Sequence, residues 1–286
     1  MTDISNVQIR EMNENDIPAG MRLREIAGWN QTERDWQRFL TLEPRGCFVA
    51  CEHDRVWGTA TALSYGKRCG WIGMVLVDPQ MRGQGIGKSL LRHAIEYLRR
   101  NGTETIKLDA TPMGHPLYET LGFVDEYRVE RWEGAARAAL GASLQPMTED
   151  DFGPITRWDR EVFGADRSSL LGCLRQEGPR YCAISRQGVE ITGYIFGRAG
   201  TRAHYLGPWV AREETGAAES LFSGMLTRLS GDPVFVDICR RNKISRGLVE
   251  EAGFRFQREL TRMYLGPNRH PGLPELVCGI SGPELG

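Results

Sequence analysis

The sequence predicts a mixed α/β fold that occurs twice along the chain. Strand-like and helix-like periodicities alternate through residues 7–132. Motifs recur with a period near 130, since Leu121-Gly122-Phe123 returns as Ala252-Gly253-Phe254, and Arg131 and Arg262 each follow their glycine by nine residues. The 286 residues suffice for two modest domains. Two similar domains in tandem are therefore expected.

The elements of the first half follow from their local patterns. The clearest is a helix over residues 85–100, where apolar residues from Ile86 to Leu98 recur at helical spacing. Asp16 and Thr32 are suitable N-caps for two earlier helices. Strands are predicted at residues 7–11, 47–52, 56–65, 69–77, 105–109 and 124–132, and a short helix at 116–121.

Composition excludes several classes of protein. Lys plus Arg number 36 and Asp plus Glu 37, so the charge does not indicate a nucleic-acid partner. The chain contains no run of 18 apolar residues, so the sequence predicts no membrane span. The first residues also lack the pattern of a secretory signal. The seven cysteines form no C-x-x-C pair, which favours a cytoplasmic protein with reduced thiols and no metal site.

The most informative segment is a glycine-rich loop that joins a strand to the amphipathic helix. Gly83, Gly85 and Gly87 allow the backbone N–H groups to converge, and the start of the helix adds partial positive charge. Such a loop predicts a site for a phosphate or a pyrophosphate. A Walker A loop would need glycine at Arg82, and a dinucleotide fingerprint would need it at Lys88.

A third pattern, [Gln/Arg]-x-x-Gly-x-[Gly/Ala], fits this loop as Arg82-x-x-Gly85-x-Gly87. Downstream, Tyr118 lies four residues before Gly122. With these two motifs in this order, the chain resembles the GNAT N-acetyltransferase superfamily. The resemblance is good over residues 7–132, and residues 144–265 look like a diverged copy.

The resemblance implies two tandem acyl-CoA acyltransferase domains, each with a mixed, mostly antiparallel twisted sheet flanked by helices. The expected boundaries are 1–133 for a catalytic domain, 134–143 for a linker, 144–265 for a degenerate domain and 266–286 for a Pro/Gly-rich tail. The implied reaction is acetyl transfer from acetyl-CoA to a small-molecule amine by direct attack in a ternary complex. A non-catalytic acyl-CoA sensor or scaffold and a protein or peptide N-acetyltransferase are the alternatives.

The resemblance also assigns the cofactor site by position. The pantetheine would lie along the strand that precedes the loop, and the loop would hold the pyrophosphate with its main-chain N–H groups. Thr111 stands where many members carry an asparagine near the pantetheine. The expected cofactor-binding residues are Met74, Val75, Val77, Arg82, Gly83, Gln84, Gly85, Ile86, Gly87, Lys88 and Thr111.

Tyr118 matches the superfamily's general acid, which protonates the departing thiolate; the alternative is a tyrosine that merely packs on its helix. The fourth strand lacks the usual glutamate base, so Asp109 and His115 are candidates by proximity in sequence. Asp109 has the alternative of bonding local backbone. Trp29 and Asn30 are placed at the acceptor site, with a plug between the domains as the alternative for the tryptophan.

The second copy departs from the pattern at the residues that would do chemistry. Glu213 and Glu214 stand where a pyrophosphate would bind, and two carboxylates there would oppose an anion. Pro208 removes a donor from the corresponding strand, and Val249 replaces the tyrosine. The second domain is therefore expected to fold without catalysing, in a protein that is a monomer or a homodimer.

Overall fold

The computed structural model describes residues 6–137 and 144–286. The first half follows the predicted order of elements. Its strands are β1 (Gln8–Glu11), β2 (Cys47–Glu52), β3 (Arg55–Tyr65), β4 (Cys69–Val77), β5 (Thr105–Ala110) and β6 (Val124–Ala135). Its helices are α1 (Ile17–Ile26), α2 (Glu33–Leu42), α3 (Ile86–Arg100) and α4 (His115–Glu119).

The second half repeats this order. Its strands are β7 (Gln145–Pro146), β8 (Ala183–Gln187), β9 (Glu190–Arg198), β10 (His204–Ala211), β11 (Pro233–Cys239), β12 (Arg255–Leu265) and β13 (Val277–Gly279). Its helices are α5 (Glu149–Phe163), α6 (Ser168–Glu177), α7 (Ala217–Arg228) and α8 (Ser245–Glu251). Of the expected linker, residues 138–143 lie outside the described residues, and Gly134 and Ala135 end β6.

Local sequence explains the elements that frame the cleft described below. The apolar stripe of α3 is buried against the sheet, with Leu90, Leu91, Ala94 and Leu98 fully inaccessible to solvent. Helix α2 begins with a capping box, in which Thr32 and Asp35 each accept from the other's backbone N–H. The apolar stripe and the N-cap at Thr32 were predicted from the sequence and are confirmed, whereas the side chain of Asp16 makes no capping hydrogen bond to α1.

All thirteen described strands form one sheet, in the order β1-β2-β3-β4-β5-β12-β6-β11-β13-β10-β9-β8-β7. The two halves exchange their last long strands within it. Strand β12 of the second half pairs with β5 of the first, and β6 of the first half pairs with β11 of the second. Since β12 and β6 also pair with each other, the backbone ladder runs without interruption from one half into the other.

One ion pair joins each exchanged strand to its new neighbour, and the two pairs are equivalent. Arg262 of β12 lies opposite Asp109 of β5, and its Nε and Nη2 each donate to that carboxylate at 2.9 Å. Arg131 of β6 lies opposite Asp237 of β11, and its Nε and Nη2 donate at 2.8 and 2.5 Å. All four side chains are buried. The arginine repeat found in the sequence is thus a duplicated clamp between the halves.

Residues 277–286, the last part of the expected tail, belong to the interior of the protein. Cys278, Ile280 and Leu285 are among its buried residues. Strand β13 lies between β10 and β11 and pairs with both in antiparallel orientation. In the two described stretches of chain, no helix has the length and apolar character needed to cross a membrane.

Candidate active site

The first half contains a cleft where β4 and β5 separate. The two strands pair in parallel only at Cys69–Trp71 with Thr105–Lys107. Just beyond, Met74 has a φ of +50°, and the register between β3 and β4 shifts between Thr59 and Thr61. The hydroxyl of Thr59 donates to the Met74 carbonyl at 2.8 Å and holds this bulge. The bulge turns the end of β4 away from β5, so the backbone of residues 75–77 borders the opening.

The glycine loop closes the far end of this cleft. Gly83 and Gly85 have φ values of +75° and +85°, in the left-handed region that glycine tolerates without strain. The side chain of Ile86 is buried in the core and fixes the start of α3. After Arg82, the first backbone N–H that donates to a backbone carbonyl belongs to Ser89, which bonds Gly85 at 3.0 Å. The intervening N–H groups at the start of α3 are the donors that an anion requires.

The other predicted cofactor residues border the same cleft. Val75 and Val77 are half-buried and pack beside the core beneath α3. Arg82 is exposed, and its Nε donates to the Val77 carbonyl at 3.2 Å, which holds the loop to the strand. Gln84 binds the Gln80 carbonyl at 3.3 Å, and Lys88 is half-buried in the first turn of α3. The structure therefore brings these residues together.

Tyr118 lies on α4, beside the end of β5. Thr111 begins this segment, because its carbonyl accepts from the His115 N–H at 2.9 Å and its hydroxyl from the Gly114 N–H at 3.2 Å. A Cβ on Gly114 would lie 3.3 Å from the Tyr118 hydroxyl oxygen and 3.0 Å from its ring, so this turn has little room for a side chain. Burial raises the pKa of Tyr118 to about 12. The hydroxyl is therefore protonated at neutral pH, as a proton donor must be.

Asp109 has both carboxylate oxygens engaged by Arg262, whose Nη1 also donates to the Tyr127 hydroxyl at 2.7 Å. Burial raises the pKa of Asp109, and the adjacent guanidinium opposes that shift. Asp237 of the second half is paired with an arginine in the same way. We therefore interpret the ion pair of Asp109 and Arg262 as part of the strand exchange. His115, the other candidate base, has its Nε2 2.7 Å from Asp125 of β6 and its Nδ1 3.5 Å from Glu119.

Asn30 connects the two halves. Its Oδ1 accepts from the N–H groups of Arg202 and Ala203 at 2.9 and 3.1 Å, and its Nδ2 donates to the Ala203 carbonyl at 2.9 Å. Both lone pairs of Oδ1 are used, so this side chain anchors the second half and has little capacity left for a substrate. Trp29 is half-buried and packs against the shared core. Asn30, which was expected at the acceptor site, therefore has an interface role that the sequence analysis did not foresee.

The corresponding cleft of the second half is occupied by the chain itself. Strands β10 and β11 pair in parallel at residues 204–206 and 234–236 and then separate. Strand β13 fills that opening, with Gly279 opposite Trp209 on one side and Ile238 on the other. A Cβ on Gly207 would lie 1.8 Å from the Ile280 carbonyl oxygen, which shows how closely the segment is seated. Val249, at the tyrosine position, is fully buried.

The donor set for a metal ion is missing from the part of the chain that the structure describes. There, no group of three or more His, Cys, Asp or Glu side chains is arranged to hold a metal.

Comparison with known proteins gives matches in both halves. The family model described as "Acetyltransferase (GNAT) family" matches residues 11–123, and the one described as "Acetyltransferase (GNAT) domain" matches residues 155–275. The chain is 26% identical over 264 residues to the uncharacterized N-acetyltransferase YitH of Bacillus subtilis, covering 86% of this chain and 87% of that protein. It is 28% identical over 144 residues to the glucosamine 6-phosphate N-acetyltransferase of Trypanosoma brucei brucei, covering 43% of this chain and 92% of that protein.

Two solved structures share the whole architecture. A putative acetyltransferase from Pyrococcus horikoshii superposes with a TM-score of 0.81 at 24% identity, covering 98% of this chain and 96% of that one. A tandem GNAT protein from the clavulanic acid biosynthesis pathway superposes with a TM-score of 0.62 at 18% identity, covering 92% and 99%. At these sequence identities, the two structural similarities show the fold alone.

The fold and the two matched domains define the class of protein, which is an acetyltransferase of the GNAT type. The chain belongs to the GNAT family as a tandem member, with one GNAT domain matched in each half.

Proposed function

We propose that the protein is an acetyl-CoA-dependent N-acetyltransferase whose first half alone catalyses, with a small-molecule amine as acceptor. The observation that carries this proposal is the contrast between two equivalent clefts. In the first half the cleft between β4 and β5 ends at a glycine loop with unpaired amides. In the second half, β13 occupies the opening between β10 and β11.

The cofactor would bind in this cleft with its pyrophosphate at residues 83–88 and its pantetheine along β4. The start of a fifteen-residue helix with two left-handed glycines before it favours an anion at that end. The backbone of residues 75–77 would pair with the pantetheine amides in the way a peptide adds to a strand. The bulge at Met74 would place the thioester next to the point where β4 and β5 separate.

The transfer itself forms a bond between the amine nitrogen and the acetyl carbon and breaks the bond between that carbon and sulfur. The thiolate leaves and takes a proton from Tyr118, whose buried hydroxyl stays protonated at neutral pH. A thiol has a pKa near 8.5, so the leaving group needs only moderate help. A positioned acid is typically worth about 10²–10⁴ in rate.

The covered face of β4 supports a small acceptor rather than a polypeptide. On the side opposite α3, Trp71 contacts the ring of Phe163 from α5, with the ring centres 6.2 Å apart. The indole Nε1 of Trp71 also donates to the Pro283 carbonyl at 2.9 Å. These contacts enclose the region beside the bulge. Since a curated relative acts on glucosamine 6-phosphate, that amine is a reasonable first acceptor to test.

The proposal is tested by calorimetric titration of acetyl-CoA, followed by thiol release with a panel of amines. The panel contains glucosamine 6-phosphate, glucosamine, free amino acids, a polyamine and a short peptide. One site per chain and turnover of a small amine are expected. No binding would refute the proposal, binding without turnover would favour a sensor or scaffold, and turnover of the peptide alone would favour a peptide N-acetyltransferase.

The seven free cysteines accord with the cytoplasmic location that we also propose.

A further inference from the structure

The proposed reaction needs a group that takes a proton from the attacking amine, and neither Asp109 nor the β4 sequence offers a free one. A glutamate from another part of the chain approaches β4 with its backbone and Cβ. Residues 281–286 form a tight turn in which the Gly282 carbonyl accepts from the N–H groups of Leu285 and Gly286, each at 2.9 Å. Tyr65 of β3 holds this turn against the first half, since its hydroxyl donates to the Leu285 carbonyl at 2.7 Å.

Glu284 of this turn lies directly on Gly73 of β4. A Cβ on Gly73 would approach the Glu284 Cα to 2.8 Å and its Cβ to 3.0 Å, so a side chain at residue 73 would occupy the same space. Gly73 immediately precedes Met74, the residue of the bulge where we place the thioester. A residue of the 281–286 turn thus stands where a side chain of the fourth strand would otherwise project.

The Glu284 carboxylate has one oxygen engaged and one free. Oε1 is paired with Nη2 of Arg198 from β9. Oε2 is buried and has no hydrogen-bond partner, although the residue is only 3% exposed. A buried carboxylate oxygen without a donor is costly, and such an atom is explained by strain, a bound water or ion, a ligand or a catalytic role. An amine that donates a hydrogen bond and then a proton would satisfy Oε2.

The electrostatic surroundings leave Glu284 able to change its protonation state. Burial raises its pKa most, and Asp35 adds to that shift, whereas Arg198, the residue's own backbone N–H and Arg131 oppose it. The charged and titratable groups facing it come from several elements, namely Asp35, Tyr65, Arg131, Arg198, Tyr205 and Arg258. A carboxylate with a raised pKa is a better proton acceptor than an ordinary one.

We propose that Glu284 is the base of the acetyl transfer, an inference that rests on the proposed function. As the nitrogen–carbon bond forms, the proton on that nitrogen passes to Oε2 of Glu284. As the carbon–sulfur bond breaks, the thiolate takes the proton of Tyr118. Glu284 afterwards returns its proton to solvent, and Tyr118 regains one, so that the enzyme is restored.

The test compares Glu284→Gln with Glu275→Gln, a matched change at an exposed glutamate of the same segment. For Glu284→Gln we expect kcat/KM to fall by about 10²–10⁴ at neutral pH, with unchanged affinity for acetyl-CoA. The acceptor is the amine of the panel with the highest kcat/KM. Because wild-type Glu284 is itself protonated at low pH, the ratio of wild type to variant should decline toward one as the pH is lowered through its pKa. Glu275→Gln should match wild type at every pH.

A constant ratio at all pH values would overturn this inference in favour of a merely structural role, as would a folded Glu284→Gln protein with wild-type kcat/KM. If that variant does not fold, Glu284→Asp takes its place, since it keeps the carboxylate but withdraws it by one methylene. A reduced kcat/KM that still varies with the protonation of residue 284 supports the inference, and wild-type values at every pH overturn it. Absence of acetyl-CoA binding to wild-type protein would instead refute the proposed function itself.

Discussion

The glycine loop can be tested with one substitution that has an internal control in the other half. Gly85 and Gly216 are the N-caps of α3 and α7, with φ values of +85° and +69°. No heavy atom lies within 4 Å of a Cβ built on either one. Gly85→Glu and Gly216→Glu therefore impose the same backbone strain without a steric clash. Only Gly85→Glu introduces a carboxylate where we place the pyrophosphate.

The expected loss of affinity follows from Coulomb's law. Two unit charges 4 Å apart at an effective dielectric constant of 20 repel by about 4 kcal/mol. Since about 1.4 kcal/mol is a factor of ten, Gly85→Glu should weaken acetyl-CoA binding about 10³-fold. A left-handed conformation costs an ordinary residue about 1–2 kcal/mol, so both variants should lose a similar, small amount of unfolding free energy.

The measurement is calorimetric titration of acetyl-CoA at low ionic strength, with thermal unfolding of each protein alongside. Gly216→Glu should bind like wild type, and Gly85→Gln, which adds bulk without charge, should lose much less affinity than Gly85→Glu. Raising the salt concentration should narrow the gap between the Gln and Glu variants. Wild-type affinity for acetyl-CoA in a folded Gly85→Glu protein would refute the placement of the pyrophosphate at this loop. A large loss of that affinity in Gly216→Glu would show that the second half helps to bind the cofactor.

Two further predictions concern Tyr118 and the clamps. Tyr118→Phe should lower kcat by about 10²–10⁴ while calorimetry finds an unchanged Kd for acetyl-CoA; wild-type kcat would leave the tyrosine as a packing residue. Asp109→Asn and Asp237→Asn should each lower the free energy of urea unfolding by about 3–5 kcal/mol, because each leaves a buried arginine without its counter-charge. Full stability of Asp109→Asn together with a large loss of kcat would show instead that Asp109 acts as the base.

The elements of the cleft could be predicted because their signals are local. The strand expected at residues 69–77 is found at Cys69–Val77, and the helix expected at 85–100 begins one residue later, at Ile86. The left-handed glycines at 83 and 85 are likewise a property of the loop alone. The positive φ of Met74 could not be foreseen, because it depends on the hydrogen bond that the Thr59 hydroxyl donates across the bulge.

The exchange of strands and the position of Glu284 depend on tertiary contacts, which the local sequence pattern does not determine. Strands β6 and β12 follow equivalent Gly-Phe motifs and carry equivalent arginines, so either could pair with β5. Glu284 lies in a stretch whose prolines and glycines predict only an irregular tail. Its burial against Gly73 is a contact between distant parts of the chain, which periodicity cannot reveal.

The strand exchange also fixes when the first half can finish folding during synthesis. Its fifth strand ends at Ala110, but the neighbour that covers that strand's edge begins only at Arg255. At about 5–20 residues per second, a ribosome needs roughly 7–30 s to make the intervening chain. Until then the edge of β5 is available for pairing with β6 of the same half or with another chain. We therefore expect the acetyltransferase cleft to become complete only after β12 has been synthesised.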